Sequence, residues 1–590
     1  MSVPGGESSI HARPGRGLST FLMLGATALM LPLLFPPFYC FFFAPLALVP
    51  FCLCVLRRPM NLWHLLLYYG LGIAFFVPNL FWIAPVTIAG LIALALYVGL
   101  YFPLFAMAMH RMVVQFRLPA TFAVPLAWTA VEYIRATCVE GGFPWFLLGN
   151  SLARMPVLIQ TADLFGVWGL TFVIAMLNGF VVDVLRLPLW VRAGGRQRFS
   201  PVLTSLSVAV MAVITFVCVY GIFRLRQQTT HPGPRVAVIQ ENIPQALKES
   251  GRDDDEIFIN HLRLTRAAAE ATPKADIIAW PETMLPGFGN IEFLAASDKK
   301  FEKFEGPEGY WAYMRDRTRV YFSKLEELTD SFNVPVLVGA GSLEPKNNFS
   351  DSIKQNRTIL LAPQFGPVDF YAKRHLVPFG EYLPFRSLPL VGKYMVYLSP
   401  YPGMDFSNEP GDRWTRFGLP ISAYGDPPKP LVGNARPEPK DPAYTFATPI
   451  CFEDAMPEPC RQMSAPQYDP SGKARKTDFL INVSNDGWFH WVELDQHLQA
   501  CQLRAVENRI AIARAVNTGN SGFIDSNGRV VKLVTGPKGA IGAVGTAAMT
   551  IDIDSRVTLF SKIGDLFPIV CGIIATILVA WTFVRPRRAV

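Results

Sequence analysis

The apolar residues of this 590-residue chain are segregated, and that constrains its fold more than any other feature. Residues 19–225 and 565–584 are mostly apolar, whereas 230–562 reads as an ordinary globular sequence. A helix crosses a bilayer with roughly 17–25 apolar residues. Windows of that kind fall at about 19–36, 38–56, 63–84, 87–109, 118–137, 166–186, 202–224 and 565–584. They predict eight helices, seven before the globular part and one after it. Pro36-Pro37 interrupts the run between the first two, so that boundary is the least defined. The first run lacks a small-residue cleavage site and others follow it, so it reads as an anchor and not as a removed signal peptide. The expectation is a multi-domain membrane protein: an N-terminal tail 1–18, a seven-helix part 19–225, a globular domain 230–562, an eighth helix 565–584 and a tail 585–590.

Charge then orients the chain. The formal charge is +8, which in a soluble protein would raise the question of nucleic acid. Here the arginines gather between apolar runs: Arg13 and Arg16, Arg57 and Arg58, Arg111 and Arg117, Arg186, Arg192, Arg196 and Arg198, and Arg585, Arg587 and Arg588. With eight helices every cluster falls on one side, which the positive-inside rule makes cytoplasmic. The globular domain is then expected outside, and no nucleic-acid partner is expected. Of nine cysteines, only Cys451, Cys460 and Cys501 belong to the globular part. An odd count in an oxidising compartment leaves at least one thiol free. Nothing has the paired spacing of a zinc site, and no metal or cofactor is expected.

The globular part alternates between two periods. Arg235–Gln240, Asp276–Trp280 and Val334–Gly339 look like strands buried on both faces, separated by amphipathic stretches at 253–271 and 310–332. Such alternation implies an α/β sandwich. Thr358–Ala362 and Val368–Ala372 suggest a hairpin; Thr445–Ile450, Phe479–Ser484, 512–516, 522–525 and 530–534 supply further strands, with a helix over about 494–508. Residues 386–444 are rich in Pro and Gly and lack a period, so they read as an insertion, either a lid or a disordered loop.

Three islands sit where strands stop, which is where α/β folds place their sites. They are Ala279-Trp-Pro-Glu-Thr283, Lys373-Arg-His-Leu-Val-Pro-Phe-Gly-Glu381 and Thr448-Pro-Ile-Cys-Phe-Glu453. Thiolate is the attacking form of cysteine, so the Cys451 thiol needs a base; Glu282 can take its proton. The Lys373 ammonium can stabilise an oxyanion, together with a backbone N–H just after the nucleophile. Each residue also has a plain structural reading: Cys451 as a small core side chain, Glu282 as a cap, Lys373 as a surface charge. His375 and His497 lack a defined third partner for a Cys–His pair. Function rests on the three islands occurring together and in order.

That order, with Val238-Ile-Gln-Glu-Asn-Ile-Pro-Gln245, Val483-Ser-Asn-Asp-Gly-Trp-Phe489, Trp128-Thr-Ala-Val-Glu-Tyr-Ile-Arg135 and Gly142-Phe-Pro-Trp-Phe-Leu-Leu-Gly149, resembles the apolipoprotein N-acyltransferase family, a membrane branch of the nitrilase (carbon-nitrogen hydrolase) superfamily. The resemblance implies a nitrilase-like αββα sandwich in a bacterial inner membrane, facing the periplasm. It implies an acyl chain taken from a phospholipid onto Cys451 and passed to the α-amino group of a diacylglyceryl apolipoprotein. Glu282 would then be the base and Lys373 the oxyanion stabiliser. Glu381 and Glu453 match positions that support the site, acting directly or by orienting Lys373 or the base. Phe452 stands where the family often has Tyr. Glu132 and Arg135, at i and i+3, suit either a phospholipid headgroup or a local ion pair. Trp488 and Phe489 suit either an acyl entrance or core filling. The rivals are a membrane-tethered amidase or nitrilase, which shares the triad, and a non-catalytic membrane binding module.

Overall fold

The computed structural model describes residues 16–584, apart from 194–195, 252, 305, 350, 386–387, 389–393, 395–396, 398–406, 426–438, 469–473, 490 and 538. Both tails, with Arg13, Arg585, Arg587 and Arg588, and much of the 386–444 segment therefore lie outside the described residues.

The apolar part is helical: α1 (Arg16–Leu33), α2 (Val49–Arg57), α3 (Leu62–Asn79), α4 (Ile88–Gly99), α5 (Tyr101–His110), α6 (Ala120–Thr137), α7 (Ala162–Arg186) and α8 (Pro201–Arg226). Among the described residues five helical segments, not eight, are long and apolar enough to cross a membrane: Leu62–Asn79, Ile88–Gln115, Ala162–Arg186, Pro201–Arg226 and, at the far end, Leu566–Val584. The expected eight-helix bundle is met at five windows and is not confirmed at the other three. Pro36, Pro37 and Pro45 cannot donate to a helix ladder, so the 38–56 window becomes turns, a 3₁₀ turn at Phe41–Phe43 and the nine-residue α2. Nine residues rise only about 14 Å, half a bilayer core. The apolar stretch of α1, Leu18–Leu33, is shorter than the others, and α6 carries Glu132 and Arg135.

The globular part opens with β1 (Thr230–Gln240), a short α9 (Gln245–Ser250), α10 (Asp254–Glu270), β2 (Ile277–Ala279), α11 (Tyr310–Phe332), β3 (Val336–Glu344), β4 (Ile353–Ala362) and β5 (Gly366–Ala372). It continues with β6 (Phe417–Leu419), β7 (Tyr444–Ala447), β8 (Phe479–Ser484), α12 (Trp491–Asn508), β9 (Ala511–Val516), β10 (Gly522–Ile524), β11 (Val530–Leu533) and β12 (Gly545–Asp554); α13 (Leu566–Val584) ends the described chain. Two sheets result. One runs β12-β1-β2-β3-β4-β5, with Leu285–Phe288 also pairing to β3; the other runs β11-β10-β9-β8-β7-β6. β1, β2 and β3 are parallel, as are β7, β8 and β9, while β4–β5 is the expected hairpin. Phe417–Leu419 lies inside the segment read as an insertion, yet it pairs antiparallel with Tyr444–Phe446 and edges the second sheet. Three residues are too few to show a period, which is why the sequence does not reveal this strand.

Strand alternation explains the layers. Val236 and Val238 point into the core between the sheets, with Phe446, Phe479 and Ile481 from the other sheet. Ala237 and Ile239 point outward, under Phe258 of α10 and Tyr321 and Phe322 of α11. On the opposite side α12 divides its faces between two cores. Cys501 and Ala505 pack on the sheets, while Ala500, Leu503 and Val506 join the core of the apolar helices. The sandwich therefore rests on the helical part through α12.

Candidate active site

The candidate side chains stand at strand ends that face this joint. Cys451 follows β7 and opens a 3₁₀ turn, Cys451–Asp454, with φ of +50°. A non-glycine residue held in the left-handed region costs energy, and the surrounding bonds impose it here. Ile450, just before, still bridges to Val483 of β8, so the cysteine sits on the last held position of the sheet. Glu282 follows β2, and Thr283 after it is likewise at φ of +50°. Gly339 of β3 makes room for this turn: a Cβ there would lie 2.3 Å from the Pro281 carbonyl oxygen. Lys373 follows β5 and is 1% exposed.

The three residues share one polar pocket. Lys373 Nζ lies 2.7 Å from Glu381 Oε2 and 3.7 Å from Glu282 Oε1. Asn356 of β4 donates from Nδ2 to Glu282 Oε1 at 2.6 Å and to Glu381 Oε1 at 3.1 Å. The Asn485 backbone N–H donates to Glu282 Oε2 at 2.9 Å. Burial raises the Glu282 carboxyl above the ordinary range; Lys373 opposes that and Glu381 adds to it. Burial also pushes the Cys451 thiol well up, reinforced by the Glu282 charge and opposed by Lys373. Cys451 is thus held as a thiol in the field of the Glu282 carboxyl and the Lys373 ammonium. Burial alone would lower the Lys373 ammonium, but Glu381, Cys451 and Glu282 together raise it, so it stays charged.

The supporting carboxylates have separate positions. Glu381 touches Lys373 directly and accepts the Val377 N–H at 2.9 Å. Glu453 is fully buried and does not pair with Lys373. Its Oε1 accepts from Tyr371 Oη at 2.8 Å and from the Arg374 and His375 N–H groups, both at 2.9 Å, and its Oε2 accepts the Ile450 N–H at 2.9 Å. It therefore clamps the end of β5, which carries Lys373, to the turn that carries Cys451. The described end of the long segment also reaches the pocket: Gly411 N–H donates to the Lys373 carbonyl at 2.8 Å, and Asn408 N–H to that of Glu381 at 2.7 Å.

Phe452 points away from the sheets into the core of the apolar helices. Its ring stacks on Trp145 (centroids 5.8 Å apart, planes at 8°) and on His375 (5.9 Å, 28°). Phe489 meets Trp82 edge-on at 4.8 Å, and Trp488 closes a 3₁₀ turn beside it. Glu132 and Arg135 are each 3% exposed and bonded inward. Glu132 accepts from Trp128 Nε1, Leu148 N–H and Thr171 Oγ1; Arg135 donates to the carbonyls of Phe143, Trp145 and Phe146. Together they hold the loop that presents Trp145 to Phe452. Asn356 belongs to no motif read from the sequence: it stands among Lys354, Gln355, Arg357 and Thr358 in β4, so residue type does not single it out. Asn485 lies within Val483–Phe489, but its donor is a main-chain group, which leaves no signal of its role.

Residues 235–555, more than half of the chain, match the Carbon-nitrogen hydrolase family. The chain belongs to the carbon-nitrogen hydrolase family. Ahead of that domain, residues 27–180 match the Apolipoprotein N-acyltransferase N-terminal domain. Relatives align with the chain over most of their own length. The apolipoprotein N-acyltransferase of Geobacter metallireducens is 28% identical over 586 residues, covering 96% of this chain and 95% of its own. Apolipoprotein N-acyltransferase 1 of Treponema denticola is 25% identical, covering 90% of each. A solved structure of Saccharomyces cerevisiae Nit3, a nitrilase-superfamily protein, aligns with 58% of this chain and 97% of its own at 15% identity and a TM-score of 0.31. The carbon-nitrogen hydrolase domain here is thus the part that holds Glu282, Lys373 and Cys451, and the N-terminal domain supplies Trp145.

Proposed function

We propose that this chain is an apolipoprotein N-acyltransferase working by a ping-pong route through a thioester on Cys451. The observation that carries the reading is Phe452: the residue next to the nucleophile is packed in the core of the apolar helices, so the pocket opens where those helices meet the sandwich. A hydrolase of small soluble amides has no use for that junction. A lipid ester does.

In the first half, Glu282 takes the thiol proton as Sγ attacks the ester carbonyl of a phospholipid. Lys373 and a backbone N–H after Cys451 stabilise the oxyanion. Collapse breaks the ester C–O bond, and the lysophospholipid leaves with the proton from Glu282. In the second half, the α-amino group of a diacylglyceryl-cysteine attacks the thioester carbonyl. Glu282 takes the ammonium proton, the C–S bond breaks, and the thiolate recovers that proton. Glu381 keeps Lys373 in place and charged; Glu453 fixes the spacing between Lys373 and Cys451. Counted over the eight apolar windows, the arginine clusters support a bacterial inner-membrane location with the sandwich outside, where both lipids are available.

Incubation with a labelled phospholipid is expected to give a hydroxylamine-sensitive acyl-enzyme that Cys451→Ser cannot form. Mass spectrometry of a lipoprotein N-terminus, with and without the chain, is expected to show the added acyl group. Release of free fatty acid with no acylated N-terminus would instead identify a membrane-tethered hydrolase.

A further inference from the structure

Behind Cys451 lies a group of buried charges that the mechanism above does not use. Asp454, Asp486, Glu493, His497 and Arg514 are each at most 1% exposed. His497, on α12, is at their centre. Its Nε2 meets Asp454 Oδ1 in a short contact, and its Nδ1 faces Asp486 Oδ1 at 3.1 Å and Glu493 Oε1 at 3.5 Å. Arg514 Nη1 pairs with Asp454 Oδ2 at 2.5 Å, and Nη2 lies 3.5 Å from Asp486 Oδ2. Carboxylate oxygens against both ring nitrogens call for two N–H donors, which only the imidazolium has. Burial would lower the ring's pKa, but Asp454 and Asp486 push it well above the usual histidine range. Burial and Asp486 push the Glu493 carboxyl well up. Asp454 and Asp486 each face both His497 and Arg514, so these four side chains form an ionic lock.

What the lock joins gives it meaning. Asp454 ends the 3₁₀ turn that Cys451 opens. Asp486 follows Asn485, whose N–H donates to the base Glu282. The third neighbour is Trp145 from the helical part, its ring 5.8 Å from that of His497. We propose that His497 is a positioning residue whose imidazolium ties the nucleophile's turn to the loop that holds the base, and so sets proton transfer from Cys451 to Glu282. It rests on the reading of those two residues as nucleophile and base. Without the imidazolium, Arg514 is left as the cation between Asp454 and Asp486, with the neutral Ser484 hydroxyl on Asp486 and the Cys501 thiol on Asp454, and the repulsion of the two carboxylates moves the Asn485 N–H off Glu282. Glu282 then loses a donor that favours its ionised form, while the other charged or titratable groups that act on it, Lys373, Glu381, Lys248 and Cys451, are unchanged.

The test reads the thiol and not the lipid. Iodoacetamide alkylation of Cys451 in the detergent-solubilised full chain is followed by peptide mass spectrometry across pH. His497→Gln is expected to move the limb that reads Glu282 as the base upward by about one pH unit, about fivefold slower at the wild-type midpoint. Asp486→Asn added to His497→Gln removes the uncompensated carboxylate and is expected to move the midpoint most of the way back. In a transfer assay His497→Gln is expected to lower kcat with the phospholipid KM unchanged. An unmoved alkylation midpoint with only a smaller reactive fraction would reduce His497 to a structural residue and overturn the proposal. If His497→Gln does not yield folded protein, His497→Asn removes the same imidazolium with a smaller amide, and the same shift or its absence decides. A shifted profile in a chain that acylates no lipoprotein would uphold the positioning role and sink the acyl-transfer reading.

Discussion

Glu282 and Glu453 are both buried carboxylates, yet their bonds give them different work. Glu453 has four N–H or O–H partners and no contact with Lys373, so its charge is spent on geometry. Glu282 has one bond from Asn356, one from Asn485 and a lysine at 3.7 Å, which leaves it able to exchange a proton. Glu282→Gln is accordingly expected to lower the rate of acyl-enzyme formation by at least about 10²-fold, in the range of general-base loss, with the fold's melting temperature little changed; a normal burst of labelled lipid on that variant would mean another base. The pH dependence follows from the same burial. With Glu282 as the proposed base, its carboxyl must be ionised, and burial raises its pKa, so activity is expected to be lost as pH falls through a value above the ordinary carboxylate range. A pH–rate profile of acylation checks this, and an acidic limb at or below the usual glutamate pKa would contradict it.

The elements show what periodicity reveals and what it hides. α12 carries Glu493, His497, Arg504 and Glu507, which reads as a helix with a wet face, yet it is buried on nearly all sides. Its charges are paired and not solvated. Arg504 donates to the Ala455 carbonyl at 2.8 Å and to Glu507 Oε1 at 2.7 Å. Glu507 Oε1 in turn accepts the Val167 N–H at 2.7 Å, where α7 is kinked at Gly166 (φ 65°). Burial raises the Glu507 carboxyl to about 7, with Arg504 opposing. Glu507→Ala leaves the Arg504 guanidinium and the Val167 N–H without this acceptor, and is expected to cost about 3–5 kcal/mol. Thermal unfolding in detergent should show that loss; a melting temperature within a degree of wild type would remove Glu507 from the joint.

At the scale of the molecule, the helical part and the sandwich are tied by buried polar bonds as well as by apolar packing. Trp82 and Trp145 both donate from Nε1 to Gln496 Oε1, at 3.1 and 2.9 Å. Arg509, at the end of α12, pairs with Asp163 Oδ2 at 2.7 Å, which also accepts from Arg224 of α8. The sandwich cannot rotate on the helices without breaking these. Orientation is a property of the whole chain, so its test belongs here: Lys303→Cys, at an exposed position of the sandwich, is expected to react with a membrane-impermeant maleimide in intact spheroplasts. Labelling that appears only after lysis would place the sandwich inside.

Much of this was legible because the residues able to react, and the strands that carry them, leave local signals. The apolar windows, the strands ending at Trp280, Ala372 and Ile450, and the ordered Glu282, Lys373 and Cys451 can all be read from neighbours in the chain. What the tertiary structure decided depends on partners far apart in sequence. A 19-residue apolar window at 38–56 yielded a nine-residue helix, because prolines act on the backbone and not on hydropathy. The three residues of β6 became a strand only because β7 offered an edge. Asn356 reached both carboxylates through a sheet, and Glu132 and Arg135, a plausible surface pair at i and i+3, turned inward to hold the loop under Phe452. Sequence names the groups that can do chemistry, since that is fixed by residue type. Which of them share a pocket is fixed by burial, where each polar atom must find a partner wherever the fold supplies one.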